Sequence, residues 1–108
     1  MEKSERADAP LEAAMATVSF QKMWEGFIGG GGTHTVYWNN APSQRVWAFS
    51  AEAKDPVGDE FLPGAVHFTI TSVKNELISA GNRRIRVDIM NTSGTGWTCV
   101  VYMTRIKA

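Results

Sequence analysis

Residues 83–106 read Arg83-Arg84-Ile85-Arg86-Val87-Asp88-Ile89-Met90, then Asn91-Thr92-Ser93-Gly94-Thr95-Gly96, then Trp97-Thr98-Cys99-Val100-Val101-Tyr102-Met103-Thr104-Arg105-Ile106. In the first limb Ile85, Val87 and Ile89 fall on one face of a strand, and Arg84, Arg86 and Asp88 on the other. The polar and glycine residues of 91–96 are suited to reversing a chain. The second limb is β-branched and aromatic, the composition of a strand. The pattern predicts a β-hairpin over 83–106, with the rest of the chain adding strands to it.

Working outward, the same reading predicts strands near 17–25, 33–39, 45–54 and 65–74, making six with 83–91 and 97–106. Val18, Phe20 and Trp24 alternate with polar residues, although Lys22 and Met23 break the rhythm. His34, Val36 and Trp38 share one face of the second strand, and Trp47, Phe49 and Ala51 one face of the third. Val66, Phe68 and Ile70 point inward from the fourth, whose pattern shifts at Val73, the mark of a bulge or a strand end. Gly29–Gly32 reads as a flexible loop or hinge, because four glycines lose a large backbone entropy on ordering. Lys54–Gly64 reads as a long loop held to the core by Phe61 and Leu62, and Asn75–Asn82 as a connection anchored by Leu77 and Ile78. The expected core includes Trp47, Phe68, Ile70, Ile85, Val87, Ile89 and Val101. No helical periodicity separates the strands, so the expected class is all-β: a single antiparallel β-sandwich.

Length and composition bound the rest. A chain of 108 residues makes one domain with one core. Residues 1–16 read as a flexible N-terminal arm and 17–108 as the β-sandwich domain. Net charge is zero, which gives nothing global to attract nucleic acid or an anionic membrane. The charges are nevertheless sorted. Glu52, Asp55, Asp59 and Glu60 stand against Lys54, while Arg83, Arg84, Arg86, Arg105 and Lys107 stand against Asp88. The single cysteine, Cys99, allows no intramolecular disulfide. The first residues lack the apolar core of a signal peptide, and no apolar run approaches a membrane span, so the default expectation is a soluble, cytoplasmic chain.

The C-terminal half resembles the closing strands of immunoglobulin-like and fibronectin-like sandwiches, carried by Ile85-Arg86-Val87-Asp88-Ile89-Met90-Asn91-Thr92-Ser93-Gly94, a strand running into an Asn-Thr-Ser-Gly turn. The resemblance covers about a third of the chain. It implies an immunoglobulin-like sandwich, and a binding module more often than an enzyme. The disulfide pair of true immunoglobulin domains is absent.

Chemistry-bearing residues are scattered. His34 and His67 sit on different segments with no metal-ligand spacing, and Cys99 lies mid-strand with no histidine or helix N-terminus to activate it. Ser43, Ser50 and Ser93 match no nucleophile pattern. Asp55, Asp59 and Glu60 lack the spacing of a calcium loop, and Asn91-Thr92-Ser93 matches the glycosylation sequon by chance. The expectation is a chain with no enzymatic activity, no cofactor and no metal.

The four tryptophans carry more. Trp38 is followed directly by Asn39 and Asn40, and Tyr37 points opposite to Trp38 on the same strand. An exposed aromatic stacks on an apolar sugar face or a partner side chain, and neighbouring amides fix polar groups beside it. Tyr37, Trp38, Asn39 and Asn40 are therefore the expected ligand-binding residues. Successive loops of an antiparallel arrangement alternate between ends, which groups 26–33, 54–64 and 91–96 at one end and 39–44 with 75–82 at the other. The leading expectation is a lectin-like binding module for a glycan or a protein partner. The alternative is a self-assembling subunit of a homo-oligomer, because Val100, Tyr102 and Ile106 make the last strand apolar on both faces. A small hydrolase ranks last.

Overall fold

The computed structural model describes residues 17–62 and 64–107; the expected arm over 1–16 lies outside the described residues. Six strands run in chain order: β1 (Thr17–Ile28), β2 (Thr33–Asn39), β3 (Val46–Ala53), β4 (Phe68–Ser79), β5 (Asn82–Asn91) and β6 (Trp97–Lys107). They form two antiparallel three-stranded sheets, ordered β1-β6-β3 and β2-β5-β4. There is no helix among the described residues.

The expected hairpin over 83–106 is not formed. β5 and β6 lie in different sheets, and residues 92–96 carry the chain from one to the other. Alternation marks a strand but does not name its partner, and β6, apolar on both faces, suits the centre of a sheet as well as an edge. The hairpin that does form joins β4 to β5 through Ala80-Gly81, with Ser79 opposite Asn82 and Gly81 at φ +72°. Such two-residue turns match the twist of paired strands.

The chain changes sheets again between β1 and β2, at the same end. Because β1 pairs with β6 and β2 with β5, the two crossings run side by side. Gly31 N donates to Asn91 O at 3.0 Å, Asn91 N donates to Gly32 O at 2.9 Å, and Gly32 N closes a turn on Gly29 O at 2.8 Å. The glycine run is thus a hydrogen-bonded turn seated against the other crossing. Gly30 approaches Gly94 so closely that a Cβ would sit 2.6 Å from its carbonyl, and Gly31 has φ +71°.

The inward residues of both sheets meet in one cluster. Ile85, Val87 and Ile89 of β5 and Val36 of β2 oppose Cys99 and Val101 of β6, with Trp24, Trp38, Trp47, Phe49, Phe68 and Ile70 packed around them. The fully buried side chains lie on the central strands β5 and β6, where a neighbour on each side and the facing sheet exclude water. The seven expected core residues are all in this cluster or packed on it.

Two bulges explain the broken rhythms. In β1, Lys22 opposes Tyr102 and Trp24 opposes Val101, so Met23 is the extra residue and Trp24 is turned inward. In β4, the register slips between Ile70 and Ser72. Beyond that bulge the strand runs on to Ser79, so most of 75–82 belongs to the β4–β5 hairpin and is no free connection. β4 also starts at Phe68, three residues later than the alternation suggested. Leu77 and Ile78 are exposed and anchor nothing, and Phe61, 87% exposed, does not tuck onto the core, nor does Leu62. Apolar character alone does not bury a side chain on an edge strand or loop that no second layer covers.

Candidate binding site

The two loop clusters form as expected from strand alternation. At one end Gly29–Gly32, Asn91–Gly96 and the segment after β3 come together. At the other, Asn40–Ser43 lies beside Gly81 and Arg83, with Ala41 N donating to Arg83 O at 2.9 Å.

Of the four residues expected to bind ligand, Tyr37 and Asn39 share one face, while Trp38 and Asn40 are placed elsewhere. Trp38 stands opposite Ile85 on the inward face of its sheet, half-buried against the core. Tyr37 stands opposite Arg86 on the outward face, 44% exposed, with the Arg84 guanidinium 4.6 Å from its ring centre. Asn39, opposite Arg84, shares that outward face. Asn40 turns into the left-handed region at φ 54° and lines a shallow cleft of about 230 Å³ with Ser43, Gly81 and Arg83. The outward face around Tyr37 is charged and internally paired. Arg84 Nε holds Glu76 at 2.6 Å, Arg86 Nε holds Asp88 at 3.2 Å, and Thr35 Oγ1 donates to Asp88 at 2.6 Å. The Thr35 hydrogen bond, then Arg86, holds the Asp88 carboxyl below its ordinary range.

A larger cleft, about 620 Å³, lies at the first end. Its floor comes from the sheet: Trp97 opens β6, and Phe27 and Thr98 face each other across the β1–β6 ladder. Its wall is the segment after β3, with Lys54, Val57 and Glu60. That wall is fixed at its root. Lys54 N donates to Thr98 O at 2.9 Å, and the Trp97 indole N–H donates to Lys54 O at 2.8 Å. Farther out, Val57 N donates to Glu60 Oε1 at 2.7 Å and Glu60 N to Val57 O at 3.2 Å, which closes a turn. The Lys54 ammonium reaches Glu25 at 2.8 Å, and Glu25 also holds Lys22 at 3.0 Å. Hydrogen bonds from Lys54 and then Lys22 lower the Glu25 carboxyl, while Glu25 raises Lys54.

What this cleft offers is apolar contact inside an acidic rim. Phe27 is 69% exposed and Val57 68%, while Asp55 and Glu60 supply negative charge and Lys54 is already paired with Glu25. Sequence reasoning missed it for a topological reason. Phe27 and Val57 are 30 positions apart and meet only because β1 and β3 flank the same strand. The signal available was Phe27 standing out of the inward pattern next to a glycine run.

The remaining chemistry-bearing residues lie elsewhere. His34 stacks on Trp24 with ring centres 4.2 Å apart, and His67 pairs with the Thr92 hydroxyl. Cys99 is fully buried, and desolvation pushes its thiol up to about 11. The Ser93 hydroxyl is bound to the Asn91 side chain. Among the described residues no three His, Cys, Asp or Glu side chains are grouped to hold a metal ion, and no helix is long and apolar enough to cross a membrane. Compared with known proteins, the chain matches no family model, no curated protein and no solved structure.

Proposed function

We propose that this chain is a non-enzymatic binding module that takes a segment of a protein partner in the Phe27–Trp97 cleft. The observation that carries the reading is the pair of large apolar side chains, Phe27 and Val57, held in water on either side of one cleft with acidic neighbours. Sugar recognition requires free donors and acceptors around the aromatic platform. Here the Trp97 indole N–H is spent on Lys54 O and one Glu60 oxygen on Val57 N. A peptide bearing an apolar side chain beside a lysine or arginine meets both the apolar floor and the acidic rim.

The architecture fits such a role. We infer a two-sheet sandwich in which the ribbon β1–β2 is paired along its length with β5–β6 and both fold over at one corner. That is the logic of a rolled-up sheet of the jelly-roll kind. An immunoglobulin-like order, expected from the sequence, places the first two strands in one sheet, whereas β1 and β2 lie in different sheets here. Either arrangement gathers its loops at the ends, where binding surfaces on rigid scaffolds are built.

Selection of a displayed random-peptide library against the full chain tests the proposal, with a glycan array as the second arm. The expected result is peptides combining aromatic and basic residues, whose binding drops at least about tenfold, some 1.4 kcal/mol, in Phe27→Ala and Val57→Ala. Both side chains are exposed, so their truncation leaves the fold intact. Glycan hits that these substitutions abolish would reassign the cleft to carbohydrate. Binders indifferent to both substitutions would overturn the site.

A further inference from the structure

The outward face of the β1-β6-β3 sheet is apolar over the half that begins at Val18. Register places Val18, Ile106 and Val46 in one row across the three strands, and Phe20, Thr104 and Ala48 in the next. Lys22, Tyr102 and Ser50 follow, then Glu25, Val100 and Glu52. Val18 is 62% exposed, Phe20 67% and Val46 63%. Phe20 and Tyr102 stack with ring centres 5.2 Å apart. The same strand β6 buries Cys99, Val101 and Met103 on its other side, so it is apolar on both faces. Strands of that kind sit between two layers, and here the facing sheet supplies one. On the other side Val100, 6% exposed, is shielded by its neighbours, while Val18, Phe20 and Val46 have no layer over them among the described residues.

We propose that this face packs against the same face of a second copy, forming a two-fold symmetric dimer. Two features of the face select a copy of itself as occupant. First, its charges balance: Lys22 and Lys54 stand against Glu25 and Glu52, with Glu25 already bridging both lysines. A two-fold contact sets a patch against itself, so a surface of one sign would repel its own image, whereas this one does not. Second, its size suits a weak, concentration-dependent dimer. From Val46 to Glu52, seven residues rising about 3.3 Å each on three strands spaced about 4.8 Å, the face presents roughly 15 by 23 Å. That is roughly 350 Å² in projection before side-chain relief is added, on the small side of the about 800 Å² of accessible surface per partner in a standard interface. Two such sheets stack about 10 Å apart, the spacing at which the Phe20–Tyr102 pair and the Val18–Ile106–Val46 row interdigitate with their images. Phe27 and Thr98 continue this same face as its last row, so the contact proposed here is confined to the rows from Val18 to Val100 and leaves the cleft row outside it.

Light scattering on the full chain, across a concentration series, tests the proposal. The expected mass is twice the 11.9 kDa of one chain, falling to a single chain on dilution. Phe20→Lys and, on the other edge strand, Val46→Lys should each return the protein to one chain mass with an unchanged circular dichroism spectrum. Two positions on separate strands are used so that a folding defect in one leaves the other decisive. Phe27→Ala, in the cleft, should leave the dimer mass in place. A wild-type protein of single-chain mass at every concentration would overturn the proposal. So would a dimer that survives both lysine substitutions, since its contact would lie at a strand edge or elsewhere. A single-chain mass that doubles only when residues 1–16 are removed would also overturn it, because the chain's own N-terminal segment would then be what covers the face.

Discussion

The side-chain amide of Asn91 donates to the main-chain carbonyl of Ile28, 63 residues earlier, at 2.9 Å. The same nitrogen donates to Thr95 O at 2.9 Å, and the side-chain oxygen accepts from Ser93 N at 2.9 Å and from the Ser93 hydroxyl. Both donors and both acceptor positions of the amide are used, and the residue is fully buried. It sits where the two sheet crossings pass each other, so it ties the end of β1 to the 92–96 segment. No other side chain presents two donors and two acceptor lone pairs at this reach, apart from the longer glutamine.

Asn91→Ala should therefore cost on the order of 2–4 kcal/mol, since it strips partners from Ile28 O, Thr95 O and Ser93 N inside the protein. Asn91→Asp should be at least as damaging, because a carboxylate cannot donate to either carbonyl. Urea unfolding followed by tryptophan fluorescence measures both. A loss under about 0.5 kcal/mol for the alanine variant would show that water replaces the amide at the corner.

Ile89 is fully buried in the middle of the β2-β5-β4 sheet, between His34 and Ile70. Ile89→Ala should destabilise by about 2–4 kcal/mol through lost transfer energy and a cavity. Val87→Ala, on the same face one pair along, should follow the same direction with a smaller loss. A near-zero effect at Ile89 would mean that this face is wet and the register misassigned.

Trp38 and Tyr37 should separate cleanly. Trp38 packs on the core, so Trp38→Ala should cost on the order of 2–4 kcal/mol. Tyr37 lies on the charged outer face, and Tyr37→Ala should change stability by under about 1 kcal/mol. Thermal melts of the two variants decide between a structural and a recognition role for Trp38. A stable Trp38→Ala protein that has lost a ligand would restore the recognition role.

Asp88 gives the fold an acid-sensitive contact. Its carboxyl is held below the ordinary range in the folded chain, so the stabilisation is present above the unfolded value of about 3.9 and is lost as pH falls through the lower folded value. Asp88→Asn should therefore differ from wild type most near neutral pH, and the difference should shrink below about pH 4. Denaturation midpoints across pH 3–7 check the sign. A gap that widens on acidification would contradict the Thr35 and Arg86 contacts.

The Cys99 thiol, buried and pushed up to about 11, should be unreactive toward Ellman's reagent in native buffer at pH 8. One equivalent should react promptly in denaturant. Fast reaction in the native state would indicate opening of β6, because nothing short of local strand separation exposes that side chain.

Six strands, their inward faces and the loops at each end were legible in the sequence because they depend on local rules. A residue's face follows from a period of two, and a turn follows from glycine, proline and asparagine. Two of the three register shifts showed, as broken rhythm at Met23 and near Val73. What the sequence could not carry was pairing. Residues 83–106 look the same whether β5 and β6 pair with each other or with strands from elsewhere in the chain, since the side-chain pattern reports which face is buried and not which neighbour supplies the hydrogen bonds. Tertiary structure decided that they part, that Asn91 locks the corner where they do, and that Phe27 and Val57 share a cleft. It also decided which apolar residues the chain's own two sheets leave uncovered. Phe20, Val46 and Phe61 are as hydrophobic as Ile89, but burial requires a second layer, and only the placement of the two sheets determines where one exists.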